Sequence, residues 1–138
     1  MQELEFVKSL KDSAWYEGRK MDISHVADDL KREGLYPLND KVSAFLEEYH
    51  YVTLDSPKGF GIQINVDDAL QGVSISLLEK VKSLLNDFVV PIGLIHCGYN
   101  ALLMTYAGSF YTIIENELIF LGDDLPSLFG TISASIKA

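Results

Sequence analysis

From Phe88 to Ile114 the chain carries no Asp, Glu, Lys or Arg, and this stretch limits the fold more than any other feature. Its length would suffice for a helix crossing a bilayer. Its composition argues against that. Pro91, Gly93, His96, Gly98, Asn100 and Gly108 interrupt it at short intervals, and the apolar residues between them are rich in β-branched and aromatic types, which favour strands. The stretch reads as a buried meander, with strands over residues 89–96, 101–106 and 109–114 and a fourth over 118–121. Short connections containing glycine or asparagine imply antiparallel neighbours. Because Ala101 to Met104 and Tyr111 to Ile114 are continuously apolar rather than alternating, both sheet faces are expected to be covered at least in part.

The rest of the chain supplies helices and one hairpin. Apolar residues recur at helical spacing through Leu4, Val7 and Leu10, and again through Ile23, Val26, Ala27 and Leu30, where Asp22 is the expected cap and Gly34 the stop. Val42, Phe45, Leu46 and Tyr49 mark a helix capped by Asn39 or Asp40. Leu77, Leu78, Val81 and Leu85 mark another, and Leu125, Leu128, Phe129 and Ile132 a last one opened by Asp123, Asp124 and Pro126. Residues 51–55 and 60–66 read as strands around Ser56-Pro57-Lys58-Gly59. Runs of like elements, rather than strict alternation of strand and helix, predict an α+β fold. The expected sheet is largely antiparallel or mixed, with about five to six strands and helices packed around it, in one domain spanning residues 1–138.

Twenty Asp and Glu against eleven Lys and Arg give a net charge of −9. Such a chain repels nucleic acids and anionic lipid, so neither is an expected partner. Cys97 is the only cysteine, which excludes an intrachain disulfide and a cysteine-rich metal site. Met1 to Ser9 contain Glu3 and Glu5 and no basic start before an apolar run, so no secretory leader is read there. A cytoplasmic location is the expectation.

No catalytic constellation stands out. His96-Cys97 pairs an imidazole with a thiol, but adjacent strand residues point to opposite faces, and a lone cysteine is usually buried and inert. His25, His50 and His96 have no metal-ligand spacing, so neither metal nor cofactor is expected. His25 falls in a first helical turn, and His50 follows a helix whose C-terminus would suit an imidazolium. The pairs Asp28-Asp29, Glu47-Glu48, Asp67-Asp68 and Asp123-Asp124 diverge in space when neighbours in sequence, which suits caps and solvated faces better than acid–base work. The charge distribution says more. No Lys or Arg occurs between Lys82 and Lys137, while Asp87, Glu115, Glu117, Asp123 and Asp124 do. An anionic face that meets a basic protein is one reading of this pattern, and solubility is the other.

Leu10-Lys-Asp-Ser-Ala-Trp15-Tyr-Glu-Gly18-Arg19 resembles the Trp-x-x-Gly-Arg signature of the third bacterial immunity subgroup of the SUKH superfamily. Val42-Ser-Ala-Phe45-Leu46-Glu-Glu-Tyr49 is similar to that group's Val-x-x-Phe-Leu-x-Glu-Phe/Tyr helix, Ile64 to Ala69 to its acidic segment, and Val90-Pro91-Ile92-Gly93 to its Pro-Ile/Val-Gly strand. The resemblance implies a SUKH-like fold and neutralisation of a cognate toxin, of nuclease or deaminase type, by direct binding without catalysis. The residues themselves suggest a large anchor between helices for Trp15, a backbone turn for Gly18 and for Arg19 either a salt bridge or a clamp on nearby carbonyls, and the resemblance implies scaffold roles for these and for Pro91 and Gly93. Candidate toxin-binding residues are the acids Asp67, Asp68, Glu115, Glu117, Asp123 and Asp124. The chain is expected to be a monomer or homodimer. A non-catalytic regulatory or scaffolding module is the alternative, and an enzyme using His96 or Cys97 the weakest reading.

Overall fold

The computed structural model describes residues 2–56, 59–95 and 100–135. The chain runs α1 (Gln2–Lys11), α2 (Ser24–Arg32), α3 (Asp40–Tyr49), β1 (Thr53–Asp55), β2 (Gly61–Ile64), α4 (Val66–Leu70) and α5 (Ile75–Leu85). It continues β3 (Val89–Ile95), β4 (Asn100–Thr105), β5 (Phe110–Ile114), β6 (Glu117–Gly122) and α6 (Leu125–Ser135). The strands form a six-stranded sheet in the order β1-β2-β3-β4-β5-β6, and every neighbouring pair is antiparallel. This is the α+β class expected from the sequence, with the antiparallel alternative realised throughout.

Alternation along the strands divides the sheet into two unequal faces. On one, Leu54, Ile62, Ile64, Val90, Ile92, Leu102, Met104 and Phe110 meet Phe6 and Leu10 of α1, Val26 and Leu30 of α2, Val42 and Leu46 of α3, and Leu128 and Phe129 of α6. On the other, Val89 and Leu103 meet Leu78 and Val81 of α5. Coverage of both faces is why the central strands read as apolar runs. The second cover is narrow: Thr53 and Asp55 of β1 stay exposed at one margin, and Phe120 of β6 at the other.

Pro91 and Gly93 sit at a break in the β3–β4 register. The ladder with β2 begins at the Ile64–Gly93 pair, so Pro91 lies beyond it, where α4 packs on β3. A missing N–H is tolerable at such a place. Gly93 is needed for a different reason. A Cβ there would stand 1.9 Å from the Gln63 carbonyl oxygen and 3.1 Å from the Ile64 Cα, so the two strands approach more closely than any side chain at 93 would permit.

Several local expectations are corrected. β1 and β2 are shorter than residues 51–55 and 60–66, and α4 begins where a strand end was expected. Asn65 explains this, because its side chain accepts the Asp68 N–H and starts a helical turn. Asp22 does not cap α2. The N-cap position belongs to Ile23, without a side-chain bond, while the Asp22 carboxylate accepts from the N–H and hydroxyl of Ser24. Of the two candidate caps for α3, Asn39 makes the bond, to Val42 N–H. The His96-Cys97 pair lies outside the described residues.

Candidate functional site

The segment between α1 and α2 is a clamp on the C-terminus of α3. A helix leaves its last carbonyls without intrahelical partners, and here each finds one. The Arg19 guanidinium donates to the carbonyls of Glu48 and His50, both at 2.6 Å; Met21 N–H donates to Glu47 O and Val52 N–H to Tyr49 O. The Trp15 indole adds a bond to the Glu48 carboxylate at 2.8 Å. Gly18, at φ +83°, supplies the left-handed turn that brings Arg19 N–H back onto Tyr16 O. Arg19 is thus a carbonyl clamp rather than half of a salt bridge. Its buried positive charge faces the negative end of the α3 dipole, and α3 has no basic residue in its own last turn.

His50 is therefore not the imidazolium that its position after a helix suggested. Its side chain is fully buried, its Nε2 accepts the Val66 N–H at 3.1 Å, and its Nδ1 has no hydrogen-bond partner among the described residues. Burial, together with the positive charges of His25 and Arg19 nearby, holds its pKa down at about 4. The neutral ring carries its hydrogen on Nδ1 and ties the α3–β1 turn to the start of α4.

Beside it, the left-handed Tyr51, φ 70°, presents its phenol to two neighbours. His25 Nε2 lies 3.0 Å from the Tyr51 hydroxyl, which donates to Asp67 Oδ2 at 3.4 Å. Burial and the adjoining Asp29 carboxyl raise the pKa of Asp67, against the pull of His25 and Tyr51. Burial and Asp67 in turn raise that of Tyr51. Asp29 also pairs with Arg32 at 2.8 Å. Sequence reading missed this chain, because its members come from α2, the α3–β1 turn and α4 and share no local spacing. Among the described residues, no group of three or more His, Cys, Asp or Glu is placed to hold a metal ion, and no helix is long and apolar enough to cross a membrane.

The six acids singled out in the sequence fall into three pairs. Asp67 and Asp68 occupy the first turn of α4, Asp68 exposed and Asp67 engaged by Tyr51. Glu115 and Glu117 are exposed at the β5–β6 turn. Asp123 and Asp124 follow β6 at its other end. There Asp123 accepts from the Ser109 hydroxyl and Asp124 caps α6 through Ser127 N–H. They edge a pocket of about 280 Å³ floored by Phe45, Tyr49, Met104 and Phe110, with Lys41 beside them. The fold thus sets Glu115 and Glu117 at one end of β6 and Asp123 and Asp124 at the other, about 20 Å apart over a six-residue strand. Asp67 and Asp68 follow β2, four strands away across the sheet.

A family model described as SUKH-3 immunity protein matches residues 4–134. The chain belongs to the SUKH-3 immunity protein family. The match takes in both the α3 clamp and the Pro91–Gly93 approach of β3 to β2. No curated protein and no solved structure matches the chain. An immunity family implies a cognate toxin as partner.

Proposed function

We propose that the protein neutralises a cognate polymorphic toxin, of nuclease or deaminase type, by binding it directly in the cytoplasm and occluding its active site or an adjacent face. The observation that carries this reading is the family match over residues 4–134. The net charge of −9 supports it: enzymes acting on nucleic acid have basic clefts, and an anionic inhibitor is drawn to one and can cover it. On this reading Asp67, Asp68, Glu115, Glu117, Asp123 and Asp124 contribute to the field that steers encounter, and the chain makes or breaks no covalent bond.

The test is co-expression. The C-terminal domain of the protein encoded immediately upstream should be lethal alone, tolerated with this chain, and recovered with it as a stable complex whose association slows as salt rises. Lethality unrelieved by the chain, with no complex formed, would refute the reading.

A further inference from the structure

The two edges of the sheet are protected differently. β1 is three residues long and lies against α1, whose Ser9 hydroxyl donates to the Asp55 carbonyl at 2.8 Å. β6 is six residues long, is the last strand of the sheet and contains neither Lys nor Pro; a register shift between Phe120 and Gly122 and the packing of α6 interrupt it, while its pairing with β5 is regular from Glu117 to Phe120. An edge of that kind is a template for another strand unless something blunts it. β6 is also apolar on the side facing α5. Phe120 is 51% exposed and packs edge-on against Tyr111 at 5.4 Å. Leu118 shares a shallow depression with Leu84, itself 64% exposed.

The charges around this edge decide what can cover it. Glu115 and Glu117 stand at one end, Asp123 and Asp124 at the other. Lys80 and Lys41 line the adjoining depressions, but among the described residues no ion pair within 4.0 Å joins either lysine to these acids. Two copies of β6 paired antiparallel would set Glu117 of each against Gly122 and Asp123 of the other, carboxylates facing carboxylates at both ends. A second copy is therefore the wrong occupant. A partner strand with an apolar centre and a Lys or Arg at each end, about 20 Å apart, complements the edge in shape and sign.

We propose that the free edge of β6, with Phe120 and Leu118 at its centre and Glu115, Glu117, Asp123 and Asp124 at its ends, is the surface on which the toxin docks, through a cationic extended segment that adds to the sheet. This rests on the immunity reading above. A stable complex buries about 800 Å² per partner, more than one strand edge supplies, so the contact extends over Leu84 of α5.

The experiment measures binding of the purified chain to a catalytically inactivated C-terminal domain of the upstream-encoded protein, by biolayer interferometry at two salt concentrations. Phe120→Lys and Leu84→Lys should each weaken binding at least tenfold, mainly through faster dissociation. Glu115→Lys with Glu117→Lys should slow association and flatten its salt dependence. Asp12→Lys with Asp28→Lys makes the same change in net charge away from the edge, and should stay within threefold of wild type. Far-UV circular dichroism checks that each variant is folded; two independent apolar positions keep the test open if one is not. Wild-type affinity in the Phe120, Leu84 and Glu115/Glu117 variants would refute the edge and leave the immunity reading standing. A wild-type chain that neither binds nor protects removes both. A self-association of the chain alone that Phe120→Lys abolishes would make the occupant a second copy and overturn the assignment.

Discussion

Replacing Gly93 by alanine tests the core of the fold. The added Cβ would stand 1.9 Å from the Gln63 carbonyl oxygen, where real contacts are not shorter than 3.0 Å, and the obstacle is backbone rather than a flexible side chain. β2 and β3 would have to part locally by at least about 1.1 Å, which takes a normal 2.9 Å N–H···O bond to about 4 Å and breaks it. Two ladder bonds lost at about 1 kcal/mol each, with about 1–3 kcal/mol of overpacking around the fully buried Ile64 and Ile92, give about 3–5 kcal/mol. That is a large share of the roughly 5–15 kcal/mol that stabilises a typical domain, and corresponds to a fall in Tm on the order of 10–15 °C. Urea unfolding followed by far-UV circular dichroism and by the single tryptophan, Trp15, measures it. Gly72→Ala is the control. No positive φ is required there and the nearest atom to a Cβ is 4.0 Å away, so this change should stabilise by about 0.5 kcal/mol through the unfolded chain. A Gly93→Ala protein within 1 kcal/mol of wild type, at unchanged denaturant slope, would refute the close-approach argument.

His50 gives a pH dependence. Its folded pKa of about 4 lies below the ordinary imidazole value of about 6.5, so the unfolded chain takes up the proton first; the stability due to the neutral ring is full above pH 6.5 and is lost as pH falls towards 4, by about 2–3 kcal/mol. His50→Gln retains an acceptor for Val66 N–H without titrating, and should flatten the fall between pH 7 and 4; equal slopes would show that His50 is not responsible. Asp67, whose pKa is raised, acts in the opposite sense, so the difference between wild type and variant is the quantity to read. Arg19→Lys cannot bridge the Glu48 and His50 carbonyls as a fork does and should destabilise by about 1.5–3 kcal/mol, seen as a lowered urea midpoint. Asn39→Ala removes the α3 cap and should lower stability by about 1 kcal/mol in the same assay.

The meander was legible because its message is redundant. A charge-free run broken by Gly, Pro and Asn bounds β3 to β5 within a residue or two, and its continuous apolarity announces the covering of both faces. Other features depend on contacts between distant segments. α4 follows from the Asn65 cap acting on a five-residue helix, too short to show periodicity. His50 was misread because a helix C-terminus attracts any nearby cation, and the sequence does not say that Arg19 reaches it from the other side. Arg19 itself had two readings, and the bonds to Glu48 O and His50 O choose between them. The acids were visible as charges, and Glu115 to Asp124 could be seen to bracket a strand. That this strand is a free edge depends on sheet order, which becomes evident only when all six strands are placed.

Part of the family resemblance lies far across the sheet from Phe120 of the proposed docking edge, whereas Phe45 and Tyr49 of the same resemblance floor the pocket that Asp123 and Asp124 edge. Trp15, Gly18 and Arg19 act at the α3–β1 junction, and Gly93 acts where β3 meets β2. Phe120 lies on β6, five strand spacings from β1 or about 24 Å across the sheet. Substitutions that far apart, without shared partners, are expected to be additive within about 0.5 kcal/mol. Arg19→Lys and Phe120→Lys should therefore separate. The first lowers the urea midpoint and leaves the affinity of the folded protein for its partner within about twofold; the second weakens binding with little change in stability, since Phe120 is half exposed. The double variant should show both effects at their single-variant sizes. A coupling above about 1 kcal/mol, in stability or in binding, would mean that the α3 clamp and the β6 edge report on one shared conformational equilibrium, and the division of this fold into a fixed flank and a recognition flank would be wrong.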